Sequence, residues 1–142
     1  MENSVNIGFS LFEIVTDQFA LFEENYSNDG KINLGTNLTF GLNKEQKVFS
    51  VSAKFTFEIK KKPFISIQAT CFFEINDANW NSFIKENKIV FPQPFVSHMA
   101  MLTVGTSRGI LHSKTENTIF KRYIIPTTNV AEIIADDVWF EI

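Results

Sequence analysis

The chain has 142 residues, 44% hydrophobic and 20% charged, with a net charge of −3. That length suits one domain, residues 1–142, burying roughly 68–70% of its unfolded surface, and the acidic balance argues against nucleic acid, which calls for a basic face. Cys71 is the only cysteine, which excludes a disulfide framework and a zinc pattern, and no apolar run approaches the roughly 18 residues of a membrane span.

The opening "MENSVNIGFSLFEIV" has an acidic residue at position 2 and no apolar run of signal-peptide length. A soluble, cytoplasmic protein is expected. Phenylalanine is over-represented, 16 residues against two Tyr and two Trp. Phe covers apolar surface without needing a hydrogen-bond partner, so the surplus points either to a Phe-rich core or to an apolar binding surface.

In "NIGFSLFEIVTDQFALFEE" Ile7, Phe9 and Leu11 share one parity, while Phe12 and Ile14 take the other. Either a β-bulge accounts for such a switch, or both faces of the strand are partly covered. The turn-rich "NYSNDGK" follows, then a strand with Ile32, Leu34, Leu38, Phe40 and Leu42 on even positions. After "NKEQK", Phe49, Val51, Ala53, Phe55, Phe57 and Ile59 alternate with Ser50, Ser52, Lys54, Thr56 and Glu58. That is a half-buried strand. "KKKP" turns the chain into a matching run with Ile65, Ile67, Ala69, Cys71, Phe73 and Ile75 on one face, which predicts an antiparallel hairpin.

Helical spacing appears later. Asp77 suits the N-cap of a short helix carrying Trp80, Phe83 and Ile84. "NKIVFP" is extended. Pro94 suits a first helical turn, opening a helix to about Leu111 with Phe95, Met99, Leu102, Thr106 and Ile110 on one stripe. "TIFKRYIIP" reads as an irregular return, and Thr128 or Asn129 as the cap of a last helix holding Val130, Ile133 and Ile134. Strands first and helices after them predict an α+β domain: a four-stranded antiparallel sheet with the C-terminal helices on one face.

No acid/base, nucleophilic or metal constellation is visible. His98 and His112 stand 14 residues apart without partners at motif spacing, and Cys71 has inward parity on a strand, as an inert buried thiol would. No cofactor, no metal and no enzymatic activity are expected. Glycine in a helix costs about 1 kcal/mol relative to Ala. Ser97, Ala100, Gly105 and Gly109 nevertheless leave a helix surface of little bulk, which predicts close packing by another helix or subunit; a glycine C-cap at Gly109 is the rival explanation.

Taken in order, these segments resemble the SecB-like chaperone family. Asn87, Ile89, Val90, Phe91 and Pro92 match its asparagine-plus-apolar run into Phe-Pro; Ser107, Arg108 and Gly109 match the Arg-Gly near the end of its long helix; Pro126 and Asn129 match the Pro-x-x-Asn opening its final helix. The likeness covers most of the chain, most clearly from about Phe49 to Ile134. Two features depart from the family's export member: "ALFEENYSNDGK" lacks proline, and the chain ends in "DDVWFEI" rather than an acidic tail.

The resemblance implies an ATP-independent holdase for unfolded or precursor polypeptides, with the export motor as a further possible partner. It implies assembly through the long helix and first strand, as a dimer or dimer of dimers, with Ser97, Ala100, Gly105 and Arg108 as interface candidates. Phe19, Phe22 and Tyr26 break the clean alternation of the later strands, and the resemblance implies that they border a client groove with Ile133 and Ile134 on its far side; the alternative is that these aromatics close one end of the core. The alternatives are a chaperone dedicated to one partner, of antitoxin type, and a hot-dog-like small-molecule-binding or thioesterase domain. Hot-dog folds thread their long helix early among the strands, whereas here it follows all four.

Overall fold

A computed structural model describes residues 8–142; Ile7 and the N-terminal residues before it lie outside the described residues. Four long strands, β1 (Phe9–Leu21), β2 (Ile32–Asn43), β3 (Val48–Ile59) and β4 (Lys62–Ile75), form an antiparallel sheet in the order β1-β4-β3-β2. β2, β3 and β4 make a meander, and β1 closes on the far side of β4. The link from β1 to β2 therefore crosses one end of the sheet, with a single 3-10 turn at Glu23–Asn25.

The alternation of β3 is reproduced residue by residue. Phe49, Val51, Ala53, Phe55, Phe57 and Ile59 are buried, and Phe49 faces Phe73, Val51 faces Cys71 and Phe55 faces Ile67 across the β3–β4 ladder. The parity switch in β1 is resolved by two bulges rather than one. Phe12 and Asp17 are the extra residues, so that Leu11, Ile14 and Phe19, which do not share a parity, all pair with inward residues of β4.

The β3–β4 hairpin turns on two residues, Lys60 and Lys61, with φ of 52° and 67°. Two positive φ values define a type I′ turn, which Asn-Gly adopts freely and other side chains enter at about 1–2 kcal/mol per residue. Replacing Lys60-Lys61 by Asn-Gly should raise the unfolding free energy by about 1–2 kcal/mol, read by chemical denaturation at constant m-value.

After the sheet come α1 (Asp77–Phe83), β5 (Ile84–Lys85), β6 (Lys88–Phe91), α2 (Gln93–Thr115), α3 (Val130–Ile133) and β7 (Val138–Glu141). The N-cap of α1 is Asn76, whose side chain accepts the Asn79 N–H at 2.9 Å; Asp77, expected there, is the first helical residue and pairs with Lys47 at 2.8 Å. β5, β6 and β7 form a second, three-stranded antiparallel sheet that the sequence reading did not anticipate.

α2, about 34 Å long, lies across β3 and β4. The buried row contains Phe95, Val96, Met99, Ala100, Val104 and Leu111, together with Ser97, Thr103, Ser107 and Thr115. The helix is thus rotated from the expected stripe: Leu102 is exposed, and Thr106 and Ile110 are half-buried. Small side chains at the contact let the helix approach a sheet surface already filled by phenylalanines. Thr103, Ser107 and Thr115 satisfy their buried hydroxyls on carbonyls four residues back.

Candidate functional site

The two edges of the large sheet differ in kind. β1 carries Glu13 and Asp17 and is bulged twice. Charges and bulges are the usual devices that stop an edge strand from pairing with another chain. β2, "INLGTNLTFGLN", has no charged residue and no proline, and its twelve residues pair with β3 in unbroken register. Among the described residues no strand pairs with its other side. In an antiparallel strand every second residue turns its N–H and C=O to that free side.

The same strand is incompletely covered on the helix side of the sheet. Ile32 is 39% exposed, and Leu34, Leu38, Phe40 and Leu42 are half-buried. An open backbone ladder flanked by an apolar row is what an extended peptide needs to add as a further strand. In the sequence this row shows only as a strand face. Its lack of charge was visible there, but nothing in the sequence said that it is an edge.

The residues expected to border a client groove do not come together in one place. Phe19 is half-buried beneath α2's C-terminal end, where Lys114 Nζ lies 5.5 Å from its ring centroid. Ile134 is buried, and its carbonyl accepts from Gln93 Nε2 at 2.7 Å, at α2's N-terminal end. Positions 93 and 114 are about 30 Å apart along one helix. Ile133, beside Ile134, is 48% exposed. Phe22 is half-buried, and its N–H donates to the Phe64 carbonyl at 2.9 Å.

Tyr26 is enclosed by aromatic rings: Phe64 and Phe120 at 5.1 Å and Tyr123 at 6.0 Å between centroids. Its hydroxyl lies 2.7 Å from that of Tyr123, and Arg122 Nη2 donates to both, at 2.7 and 2.9 Å. These are the chain's only two tyrosines. The hydrogen bond from Tyr123 holds the Tyr26 phenol below its ordinary value, helped by Arg122, while burial pushes the Tyr123 phenol up. Tyr26 therefore pins the link after β1 to the return that follows α2.

The four interface candidates divide. Ala100 is fully buried and Ser97 nearly so within the chain itself, and Ser97 Oγ accepts from Gln93 Nε2 at 2.9 Å. Arg108 is also engaged within the chain: its Nε donates to the Ile125 carbonyl at 2.6 Å and its Nη2 to that of Pro126 at 2.9 Å, fastening the return segment to α2. Gly105 alone faces outward with Gly109. A Cβ at Gly105 would meet nothing closer than Arg108 Nη1 at 3.9 Å, and one at Gly109 nothing within 4 Å. Gly109 is not a C-cap, because α2 continues to Thr115.

His98 is exposed with its ring against Phe9, His112 is exposed 3.7 Å from Glu116, and Cys71 is buried. Among the described residues no group of three or more His, Cys, Asp or Glu could hold a metal ion. None of their helices is long and apolar enough to cross a membrane.

The described residues thus form an α+β domain with a four-stranded antiparallel sheet, helices after it, and an edge strand, β2, that carries neither charge nor bulge. No family model matches the sequence, and no curated protein matches it. Among solved structures it is similar to the Rv1957 SecB-like chaperone of Mycobacterium tuberculosis, in complex with a ChAD peptide from the Rv1956 HigA1 antitoxin. The TM-score is 0.43 at 8% identity, over 85% of this chain and 88% of that one. It is also similar to a protein of unknown function from Streptococcus agalactiae, with a TM-score of 0.41 at 16% identity, over 88% of this chain and 99% of that one. Both likenesses concern the course of the chain; what the protein does is read from its own surface.

Proposed function

We propose that the protein is a non-catalytic holdase that binds extended segments of unfolded or precursor polypeptides along β2. The observation that carries this reading is the edge itself: twelve residues in regular register, with no charge, no bulge and no proline, beside a partly exposed apolar row. Main-chain hydrogen bonds supply affinity with little regard to sequence, and the row at Leu34, Leu38 and Phe40 favours guests with apolar side chains at alternate positions. Neither step needs ATP.

The test uses Thr36→Lys and Asn37→Lys. Both positions are exposed, one on each face of the strand, so the melting free energy should change by no more than about 0.5 kcal/mol. A charge on each face is the guard that natural edges carry. Wild-type protein should suppress aggregation of a chemically unfolded client, measured by light scattering, and the double variant should lose most of that protection. Undiminished protection would overturn the reading.

We further propose that the working unit is a homo-oligomer built on the outward face of α2. Gly105 and Gly109 stand in open space there, beside Met101, which is 57% exposed. In an isolated chain, Gly105→Ala should add roughly 0.5–1 kcal/mol of stability. With a second chain packed closely on that face, Gly105→Leu should instead weaken the assembly. Light scattering of the wild type showing only a 16.3 kDa species at micromolar concentration would overturn this proposal.

A further inference from the structure

On the face of the sheet turned away from α2, one row crosses all four strands: Glu13 of β1, Phe72 of β4, Ser50 of β3 and Gly41 of β2. Ser50 and Gly41 do not fill their places, and a cavity of about 310 Å³ opens over them. A Cβ at Gly41 would stand 2.5 Å from Ser50 Oγ, so a larger residue there would turn the serine hydroxyl aside. One wall is an aromatic pair. The bulge in β1 leaves Phe12 50% exposed, with its ring centroid 6.4 Å from that of Phe72 at an interplanar angle of 54°. Glu13 also lines the cavity, and its carboxylate makes no ion pair among the described residues.

Aromatic faces and a carboxylate call for the same thing, a cation. A ring face is the negative part of its quadrupole, and a cation placed over it gains about 0.5–2 kcal/mol depending on desolvation. A guanidinium serves both walls at once, because it is planar enough to stack on a ring and presents a fork that a carboxylate accepts in bidentate fashion. An ammonium is a compact, strongly hydrated point charge and matches only the carboxylate. We propose that this trough binds the side chain of an arginine carried by a partner polypeptide. The site centres on the opposite face from the apolar row of β2, sharing only Leu42 with it, and stands whether or not β2 takes a guest strand.

The experiment titrates the whole chain with N-acetyl-arginine N-methylamide and follows backbone amide resonances. Saturable shifts are expected at Phe12, Glu13, Gly41, Ser50 and Phe72. The uncharged isostere, N-acetyl-citrulline N-methylamide, should bind about tenfold more weakly, as the loss of one well-placed charge implies. Phe12→Ala and Glu13→Gln should each weaken arginine binding severalfold. Both residues are exposed, so both variants should keep the wild-type spectrum elsewhere. Equal binding of citrulline would reduce the trough to an apolar pocket and overturn the proposal, as would unchanged binding by Glu13→Gln or shifts confined to other residues.

Discussion

Replacing Phe91 by alanine should lower the unfolding free energy by about 3–5 kcal/mol, the range for large-to-small changes at a buried phenylalanine. Phe91 is fully buried and sits where five elements meet. Its ring contacts Phe49 of β3 at 4.6 Å, Phe83 of α1 at 5.4 Å, Phe95 of α2 at 6.0 Å and Phe140 of β7 at 6.1 Å, while being itself part of β6. Alanine would leave a void bounded by other rings, which are too rigid to collapse into it. Ile119→Ala, at a position 66% exposed, serves as the control and should stay within about 0.5 kcal/mol. Guanidinium denaturation of both variants decides the matter. A loss below about 1.5 kcal/mol at Phe91, the scale of a small truncation, would mean that the small sheet does not dock on the large one through this ring.

The second large effect is expected at Phe64. It is fully buried at the opposite end of the sheet, against Tyr26, Phe120 and Tyr123 at 5.1–5.5 Å. Phe64→Ala should again cost about 3–5 kcal/mol. Because Phe64 supports the tyrosine pair, the same variant should change how those phenols titrate. In the intact protein the ultraviolet absorbance of phenolate should rise in two steps, as coupled groups require: one below the ordinary tyrosine value, led by Tyr26, and one above it, led by Tyr123. The linkage signs differ. The depressed Tyr26 value adds stability only above its unfolded value, and this is lost as pH falls through the folded one; the raised Tyr123 value adds stability below its unfolded value, lost as pH rises through the folded one. Tyr123→Phe removes the donor to Tyr26 and should move the Tyr26 step back up. Coincident steps in the wild type would show that the hydroxyl contact does not hold in solution.

Tyr26 also shows why a client groove was difficult to place from sequence. Phe19, Phe22 and Tyr26 break the clean alternation of the later strands, which marks them as unusual without saying whether they face solvent or one another. Tyr26 turns inward because its partners, Phe64, Phe120 and Tyr123, arrive from segments 38 to 97 residues away. Likewise, the small residues of α2 were legible as a surface built for close approach. Which partner approaches Ser97 and Ala100 depended on how the helix is rotated, and both are buried within the chain itself. The short strands β5 and β7 went unseen because each acquires its ladder only from β6.

By itself the sequence determined the α+β class, the faces of β3 and β4, the extended run into Pro92 and the long helix after it. All of these rest on periodicity and capping, which act between residues a few positions apart. Tertiary structure alone decided that β1 closes on β4 and leaves β2 at the open edge, and that the row from Glu13 to Gly41 lines a trough. Strand order is a property of pairings between distant segments, and no local spacing records it. Uncharged "INLGTNLTFGLN" would pass as an interior strand in any other order; its place at the edge leaves one side of the same twelve residues without a strand partner among the described residues.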